Sequence, residues 1–309
     1  MSQRQYSKIC LLLALVFAVS ACKITKDTGQ KNENIPLQNG KLVFGLLPTD
    51  DNYEQEKHIN GLVQYLSEKT GLEVTYRHEI DYYIIVEDMQ TELIDISFTG
   101  PLAYIMAHDV AHAEVLVTTA HPDGKLNTYK SVFITHSDSK IKTLDQYIKQ
   151  FDSLKTAFVD PFSVTGSVIP SAKLMEEGIR VGQGHPSAIF EGSHRQAIDS
   201  LIAKSVDVAA VSDMELEAMI QEKKIKRSDF RILWESNAIP PVPIFVRENM
   251  DKTLKTKLID AFLSLPDEKP DIHKSFSEMW GKDLIFVKAN NQMYEPIKEI
   301  SKYIHHHKK

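Results

Sequence analysis

Two rhythms of apolar residues alternate along the chain from Lys41 onward. Leu42-Val43-Phe44-Gly45-Leu46-Leu47 is a continuous apolar run closed by Pro48, the pattern of a strand buried on both faces. Ile59, Leu62, Val63 and Leu66 then recur at helical spacing, and Gly71 supplies the stop. Residues 74–76 read as strand, 82–93 as helix and 94–98 as strand. Gly100-Pro101 opens the next helix, because proline is welcome in a first turn, and 115–119 is strand again. The same reading predicts strands at 131–135, 156–159, 208–211 and 243–246, and helices near 166–177, 194–204, 213–221 and 250–265. Strand and helix in alternation predict α/β layers with largely parallel sheets. No internal repeat is evident.

In such sheets ligands gather beyond the carboxyl ends of the strands. Three loops stand there, each after an apolar β run: Thr99-Gly100, Asp160 to Ser167, and Ser212-Asp213. The middle one carries the most chemistry. Ser163, Thr165 and Ser167 place hydroxyls where the unpaired N–H groups of a helix start are exposed, and Gly166 removes side-chain bulk. Hydroxyls, bare amides and a positive helix end together suit an oxyanion. The same residues also serve as a plain capping loop, with Thr165 or Ser167 as N-cap, so the segment alone leaves both readings open.

The N-terminus follows a different pattern. Arg4 and Lys8 precede the apolar run 9–19, and small residues lead into Val19-Ser20-Ala21-Cys22. A basic start, a short apolar stretch and a small-residue site read as a secretion signal, and the stretch is shorter than the ~20 residues a spanning helix needs. Val-Ser-Ala-Cys resembles a bacterial lipobox, in which the cysteine after the cut carries the lipid. Residues 1–22 are therefore expected to be a lipoprotein signal, with Cys22 the lipidated residue. The polar segment 23–40 is expected to be a flexible tether. The protein is then exported and held at the membrane by its lipid, facing the periplasm or the exterior.

Composition narrows the field further. The chain has 309 residues, enough for two lobes with their own cores, and its formal net charge of -6 makes nucleic acid an unsuitable partner. Its two cysteines are Cys10 and Cys22, so the body has no disulfide, no thiolate metal site and no cysteine nucleophile. No Walker loop, dinucleotide fingerprint or Gly-x-Ser-x-Gly elbow occurs, so no cofactor and no enzymatic activity is expected. His108 and His112 stand four apart, as zinc ligands on a helix can, but no motif places a third ligand, and no metal site is assigned. His305 to Lys309 reads as a frayed, solvated end.

The order of short segments carries a resemblance. Phe44-Gly45, Leu66-Ser67-Glu68-Lys69-Thr70-Gly71, Asp81-Tyr82 and Asp95-Ile96-Ser97-Phe98-Thr99-Gly100-Pro101-Leu102-Ala103-Tyr104 come first. Tyr129-Lys130-Ser131-Val132, the loop from Asp160 to Gly166, Gly192-Ser193-His194, Val206-Asp207-Val208-Ala209-Ala210, Trp234-Glu235-Ser236 and Ile239-Pro240 follow. From about Lys41 to about Tyr303 the chain resembles the phosphate/phosphite/phosphonate-binding proteins of ABC importers (PhnD-like).

The resemblance implies a two-lobed periplasmic-binding-protein fold of type II, each lobe a mixed, largely parallel sheet flanked by helices, joined by a hinge of crossing strands. Residues 41–127 and 235–309 would form the first lobe and 128–234 the second. A small oxyanion would sit between them, with Tyr82 and Thr99 from the first lobe and Tyr129 near the crossover. Ser163, Val164, Thr165 and His194 would come from the second, where the hydroxyls and the imidazole hold the anion. The partners implied are an ABC permease and its ATPase, with a monomeric binding protein. A sensor kinase served by the same fold is the alternative. Three positions depart from the family: it often has an aromatic residue at Thr99, threonine at Val164 and aspartate at Val242.

Overall fold

The computed structural model describes residues 40–47, 52–79, 81–182, 184–278 and 283–307. The signal, Cys22 and all of the tether except Gly40 lie outside the described residues, as do the side chains of the histidine tail. No helix among the described residues is long and apolar enough to cross a membrane.

The continuous apolar run becomes β1 (Lys41–Leu46), followed by α1 (Asn52–Thr70) and β2 (Glu73–His78). The spacing of Ile59, Leu62, Val63 and Leu66 puts all four on the buried face of α1, and Gly71 ends the helix at φ 77°. α2 (Tyr82–Gln90), β3 (Ile96–Phe98), α3 (Pro101–Ala111) and β4 (Glu114–Ala120) complete the first pass. The chain then crosses and builds β5 (Ser131–His136), α4 (Leu144–Gln150), β6 (Thr156–Phe158), α5 (Ile169–Glu176) and β7 (Ala188–Phe190). α6 (His194–Ile202), β8 (Val208–Ser212), α7 (Asp213–Gln221) and β9 (Phe230–Glu235) follow. It returns through β10 (Pro243–Val246), α8 (Lys252–Glu268), α9 (Pro270–Glu278), β11 (Ile285–Lys288) and α10 (Glu295–His307).

Two sheets result, in the orders β11-β4-β10-β3-β1-β2 and β7-β6-β8-β5-β9. The fold is two-lobed α/β, each sheet flanked by helices, as expected of a type II binding protein. Both sheets are mixed: among the described residues four strand pairings are parallel and five antiparallel. The βαβ units β1-α1-β2 and β6-α5-β7 supply parallel pairs, as the alternation predicts. The antiparallel pairs involve the strands next to the crossovers, β4, β5, β9 and β10, together with β11. A strand carrying the chain out of one lobe and a strand bringing it back run in opposite senses, so reversal there follows from the two crossings.

The five-stranded sheet is covered on both faces, and its residues alternate between two cores. Val132, Ile134, Ala157, Ala209 and Val211 join the layer of α6 and α7. Phe133, Phe158, Val208 and Ala210 join the layer containing Tyr147, Phe151 and Leu174. The six-stranded sheet shares one larger core with Tyr104, Phe245 and Tyr294, and that core also takes in Val164, Val168, Ile169 and Met214 from the other lobe. An apolar seam therefore runs between the lobes.

The crossing segments are tied to each other. Tyr129 and Ile239 exchange backbone hydrogen bonds at 3.3 and 2.8 Å in an antiparallel bridge. Ser131 N–H donates to Ser236 Oγ at 3.0 Å, and Ser236 N–H donates to the Ser131 carbonyl at 2.9 Å. In the first lobe, Asp95 and Arg247 form a buried ion pair at 2.7 Å, with Asp95 also accepting from Val43 N–H. This fastens the end of β10, just back from the second lobe, to β1 and β3.

Candidate anion site between the lobes

β6 ends at Phe158, and the chain turns through Asp160 into the predicted anion loop. Phe162 N–H donates to Asp160 Oδ1 at 2.8 Å, and Ser163 N–H donates to the Asp160 carbonyl at 2.9 Å. The sequence predicts an ordinary helix start here. Instead Val164–Val168 is a single π-helical turn leading into α5. The Ser163 carbonyl accepts from both Ser167 N–H at 3.0 Å and Val168 N–H at 2.9 Å, and the second of these widens the turn. Ser163 Oγ accepts from Gly166 N–H at 3.2 Å. The N–H groups of Val164 and Thr165 have no acceptor within the turn.

Gly166 explains why the turn holds this shape. Its carbonyl accepts from Val159 N–H at 3.0 Å, which brings the turn flat against the strand end. A Cβ at residue 166 would lie 2.2 Å from Val159 Cγ2 and 2.4 Å from Val159 Cβ, so only glycine fits without a shift.

His194 comes to the same place on the first turn of α6, whose N-cap is Ser193. Its Nδ1 accepts from Ser212 N–H at 3.2 Å, which fixes the ring proton on Nε2. Nε2 lies 3.4 Å from Thr165 Oγ1. Burial pushes the imidazole pKa down to about 4, so His194 is neutral near pH 7 and presents one N–H. Thr165 is buried, and its carbonyl accepts from Ser131 Oγ at 2.7 Å.

Tyr82 arrives from the first lobe at the start of α2, where Asp81 Oδ1 caps the helix through Ile84 N–H at 2.9 Å. Its hydroxyl lies near Ser163 across the lobes. Burial pushes the phenol up to about 12, the neighbouring Ser163 hydroxyl acts the other way, and nearby Asp160 and Glu215 push it up further, so it is a neutral donor. Gly100 leaves room for the ring: a Cβ there would meet Tyr82 Cε1 at 3.1 Å. Beside this contact, Tyr83 stacks on Phe162 with centroids 5.8 Å apart. Asp160, its carboxyl raised first by burial, feels the charge of Asp81 across the same seam.

The structure thus brings Tyr82, Ser163, Thr165 and His194 together as neutral donors. The other candidates take different places. Val164 is buried in the apolar seam and forms wall. Tyr129 is buried at the crossover bridge, and burial raises its phenol well above the usual value. Ser212 Oγ caps α7 by accepting from Met214 N–H at 3.2 Å, so its clearest part in the site is the N–H it gives to His194. Asp213 Oδ1 accepts from Lys130 N–H at 2.8 Å and ties α7 to the crossover. Thr99 is buried, and its Oγ1 has no hydrogen-bond partner among the described residues. Sequence reasoning passed over Asn127 and Met214, which meet at the crossover through Asn127 Nδ2 and Met214 Sδ at 4.0 Å. Nothing in the run Leu126-Asn127-Thr128 marks it. His108 Nδ1–H donates to the Ala113 carbonyl, 2.8 Å away, and His112 leaves the helix at φ 51°, so the two do not form an i, i+4 pair within α3.

Two α/β lobes, a doubly bridged crossover and a cluster of donors at the strand ends define a substrate-binding protein of type II. Comparison with known proteins agrees. Residues 44–294 match the family described as ABC transporter, phosphonate, periplasmic substrate-binding protein, and the chain belongs to that family. It is 27% identical over 235 residues to the phosphonates-binding periplasmic protein of Escherichia coli K12, covering 75% of this chain and 69% of that protein. It is 26% identical over 251 residues to the phosphate-import protein PhnD of Mycolicibacterium smegmatis, covering 77% and 76% of the two chains. The fold is shared with PhnD1 of Prochlorococcus marinus, solved in complex with methylphosphonate. That match has a TM-score of 0.74 at 20% identity and covers 87% of this chain and 99% of that one. The protein is accordingly the extracytoplasmic binding component of an ABC importer, working with a permease and ATPase, and its family is one of binding proteins rather than enzymes.

Proposed function

We propose that this protein captures a tetrahedral oxyanion of the phosphonate class between its lobes, holding it by Ser163, Thr165 and His194 with Tyr82 closing from the other side. The single observation that supports this most is the convergence of His194 Nε2, its proton fixed by Ser212, on the Thr165 hydroxyl of a glycine-backed π turn. Several neutral donors in a buried site suit an anion, because hydrogen bonds to a charged acceptor are shorter and stronger than neutral ones. The relatives named for phosphonates and for phosphate, and the methylphosphonate complex, support the same ligand class. The lobes are taken as 41–127 with 235–309, and 128–234, turning about the Tyr129–Ile239 bridge. Cys22 is taken as the lipid-bearing residue, so the body works on a membrane tether outside the cytoplasm as a monomer.

The test is calorimetry on the purified protein with methylphosphonate, phosphate, phosphite and sulfate. Ser163→Ala and His194→Ala should each weaken the preferred anion about tenfold or more, since a bond to a charged group is worth ~1.5–3 kcal/mol. Wild-type affinity in both variants would place the site elsewhere. Mass spectrometry of the mature protein should find an acylated N-terminal Cys22; an unmodified mature N-terminus at another residue would refute the anchor.

A further inference from the structure

The proposed anion site uses one side of the seam between the lobes. On the other side, two buried polar atoms have no hydrogen-bond partner among the described residues: Thr99 Oγ1 and Asn127 Oδ1. Their residues are 4% and 3% exposed. Register places them near each other. In the six-stranded sheet β10 lies between β3 and β4. Thr99 directly follows β3, where Phe98 pairs with Ile244. Asn127 is bound to the end of β4, its N–H donating to the Thr119 carbonyl at 3.1 Å. Val242 stands just before β10, and its carbonyl accepts from Thr118 Oγ1 at 3.0 Å. Thr99 and Asn127 therefore lie at the same end of the sheet, where Val242 enters β10.

This end faces the second lobe. Asn127 Nδ2 meets Met214 Sδ at 4.0 Å, and Met214 is the second residue of α7, two residues beyond the Ser212 N–H that holds His194. A thioether accepts but cannot donate, so the amide nitrogen faces the sulfur and the carbonyl oxygen is left over. Thr99 precedes Gly100, on which the Tyr82 ring packs. Val164, Met214, Tyr129 and Val242, from the segments that carry the donor cluster and the two orphaned oxygens, pack in one apolar core.

We propose that Thr99 and Asn127 form a second, uncharged polar subsite that receives the carbon-borne substituent of the ligand, and that this substituent ends in a neutral hydrogen-bond donor such as a hydroxyl. The inference rests on the oxyanion reading of the neighbouring donor cluster. A purely alkyl tail leaves both buried oxygens unpaired, which a site of this kind penalises. An ammonium tail loses its water and needs a carboxylate, and the residue entering β10 at this end of the sheet is valine. A hydroxyl satisfies both limits: it donates to Asn127 Oδ1, accepts from or donates to Thr99, and brings no charge.

The experiment is calorimetry on the full-length protein with methylphosphonate, 2-hydroxyethylphosphonate, propylphosphonate and 2-aminoethylphosphonate. Propylphosphonate matches the hydroxyethyl compound in shape and lacks its hydroxyl. The wild type should bind the hydroxyethyl compound about tenfold or more tighter than the propyl and tighter than the amine. Thr99→Val and Asn127→Leu should each reduce the hydroxyethyl-to-propyl ratio, read within the same variant. Propylphosphonate binding as well as the hydroxyethyl compound, with methylphosphonate still bound, overturns the subsite and leaves the anion site standing. The amine binding tightest overturns its neutrality. Failure of every phosphonate to bind overturns the oxyanion reading and the subsite with it. Thr99→Val keeps the side-chain shape, so it carries the test if Asn127→Leu does not fold; an undiminished ratio in Thr99→Val overturns the assignment of that hydroxyl.

Discussion

Gly166→Ala is the sharpest perturbation of the anion loop. The added Cβ would sit 2.2 Å from Val159 Cγ2 and 2.4 Å from Val159 Cβ, against about 3.5–4.0 Å for a relaxed carbon contact. More than an ångström must be found, and both partners are buried. Rotating Val159 moves Cγ2 but not Cβ, so the backbone has to give. Forced insertion of a methyl into a packed interior costs about 1–3 kcal/mol. The shift also lengthens the hydrogen bond from Val159 N–H to the Gly166 carbonyl and carries Ser163 and Thr165 with it. Anion affinity should then fall by more than tenfold, through misplaced donors. Urea unfolding and calorimetry with methylphosphonate check the two effects. Geometry adds a discriminating control. Val159→Ala keeps the atom at 2.4 Å and should not restore binding to Gly166→Ala, whereas Val159→Gly removes both clashing atoms and should restore part of it. If Gly166→Ala unfolds within about 0.5 kcal/mol of wild type and binds normally, the loop is not held against Val159 and the reasoning fails.

Three further outcomes follow from the same structure. His194 has its folded pKa lowered to about 4 by burial, against 6.5 for the free side chain, so the unfolded chain takes up the proton first. Stability should be full above pH 6.5 and fall by up to about 3 kcal/mol as pH drops toward 4, less where solvent reaches the ring; His194→Gln should flatten that part of the urea profile, and an unchanged profile refutes it. Arg247→Met strands the buried Asp95 carboxylate and should cost about 3–5 kcal/mol in chemical unfolding at pH 7; a loss below 1 kcal/mol would show that the pair does not fasten β10. Val242→Asp should shift preference toward 2-aminoethylphosphonate over methylphosphonate, and a wild type already preferring the amine by more than about tenfold removes the premise.

The parts of the fold that were legible in the sequence are those where one physical rule dominates. The run 42–47 reads as a buried strand and forms β1 with Leu42, Phe44 and Leu46 buried and Val43 partly so, and Ile59 to Leu66 face one way on a helix, as read. Short edge strands escaped. Ala188–Phe190 has three residues, and Phe230–Glu235 interleaves Arg231 and Glu235 with apolar residues at the open side of its sheet. Their strand character comes from a partner and not from local composition. The anion loop was legible as hydroxyls before a helix, but the π turn was not. It depends on contact between Gly166 and Val159, and a glycine in a helix start looks the same in sequence whatever lies behind it. Asn127 was invisible for a related reason: its meaning lies in an atom left unpaired, and that appears only when Thr119, Met214 and Val242 are in place around it.

The contacts across the seam show what holds the two lobes against each other in this structure. The Tyr82 hydroxyl lies near Ser163, the residue whose carbonyl organises the π turn, so the first lobe approaches the anion loop at its organising point. Tyr83 stacks on Phe162 beside it, and Val164 and Met214 join the first lobe's core. Against these stands one opposing element, the like charges of Asp81 and Asp160. Each carboxylate also accepts a backbone N–H in its own lobe, from Ile84 and from Phe162, so each is held in place at the seam. Apolar contact holds the seam together in this structure, while two fixed negative charges oppose it. An anion bound beside Ser163, as proposed above, would give the Tyr82 hydroxyl a charged acceptor across the seam. Such a ligand stabilises the lobe arrangement seen here by as much as its affinity for it exceeds its affinity for any other arrangement.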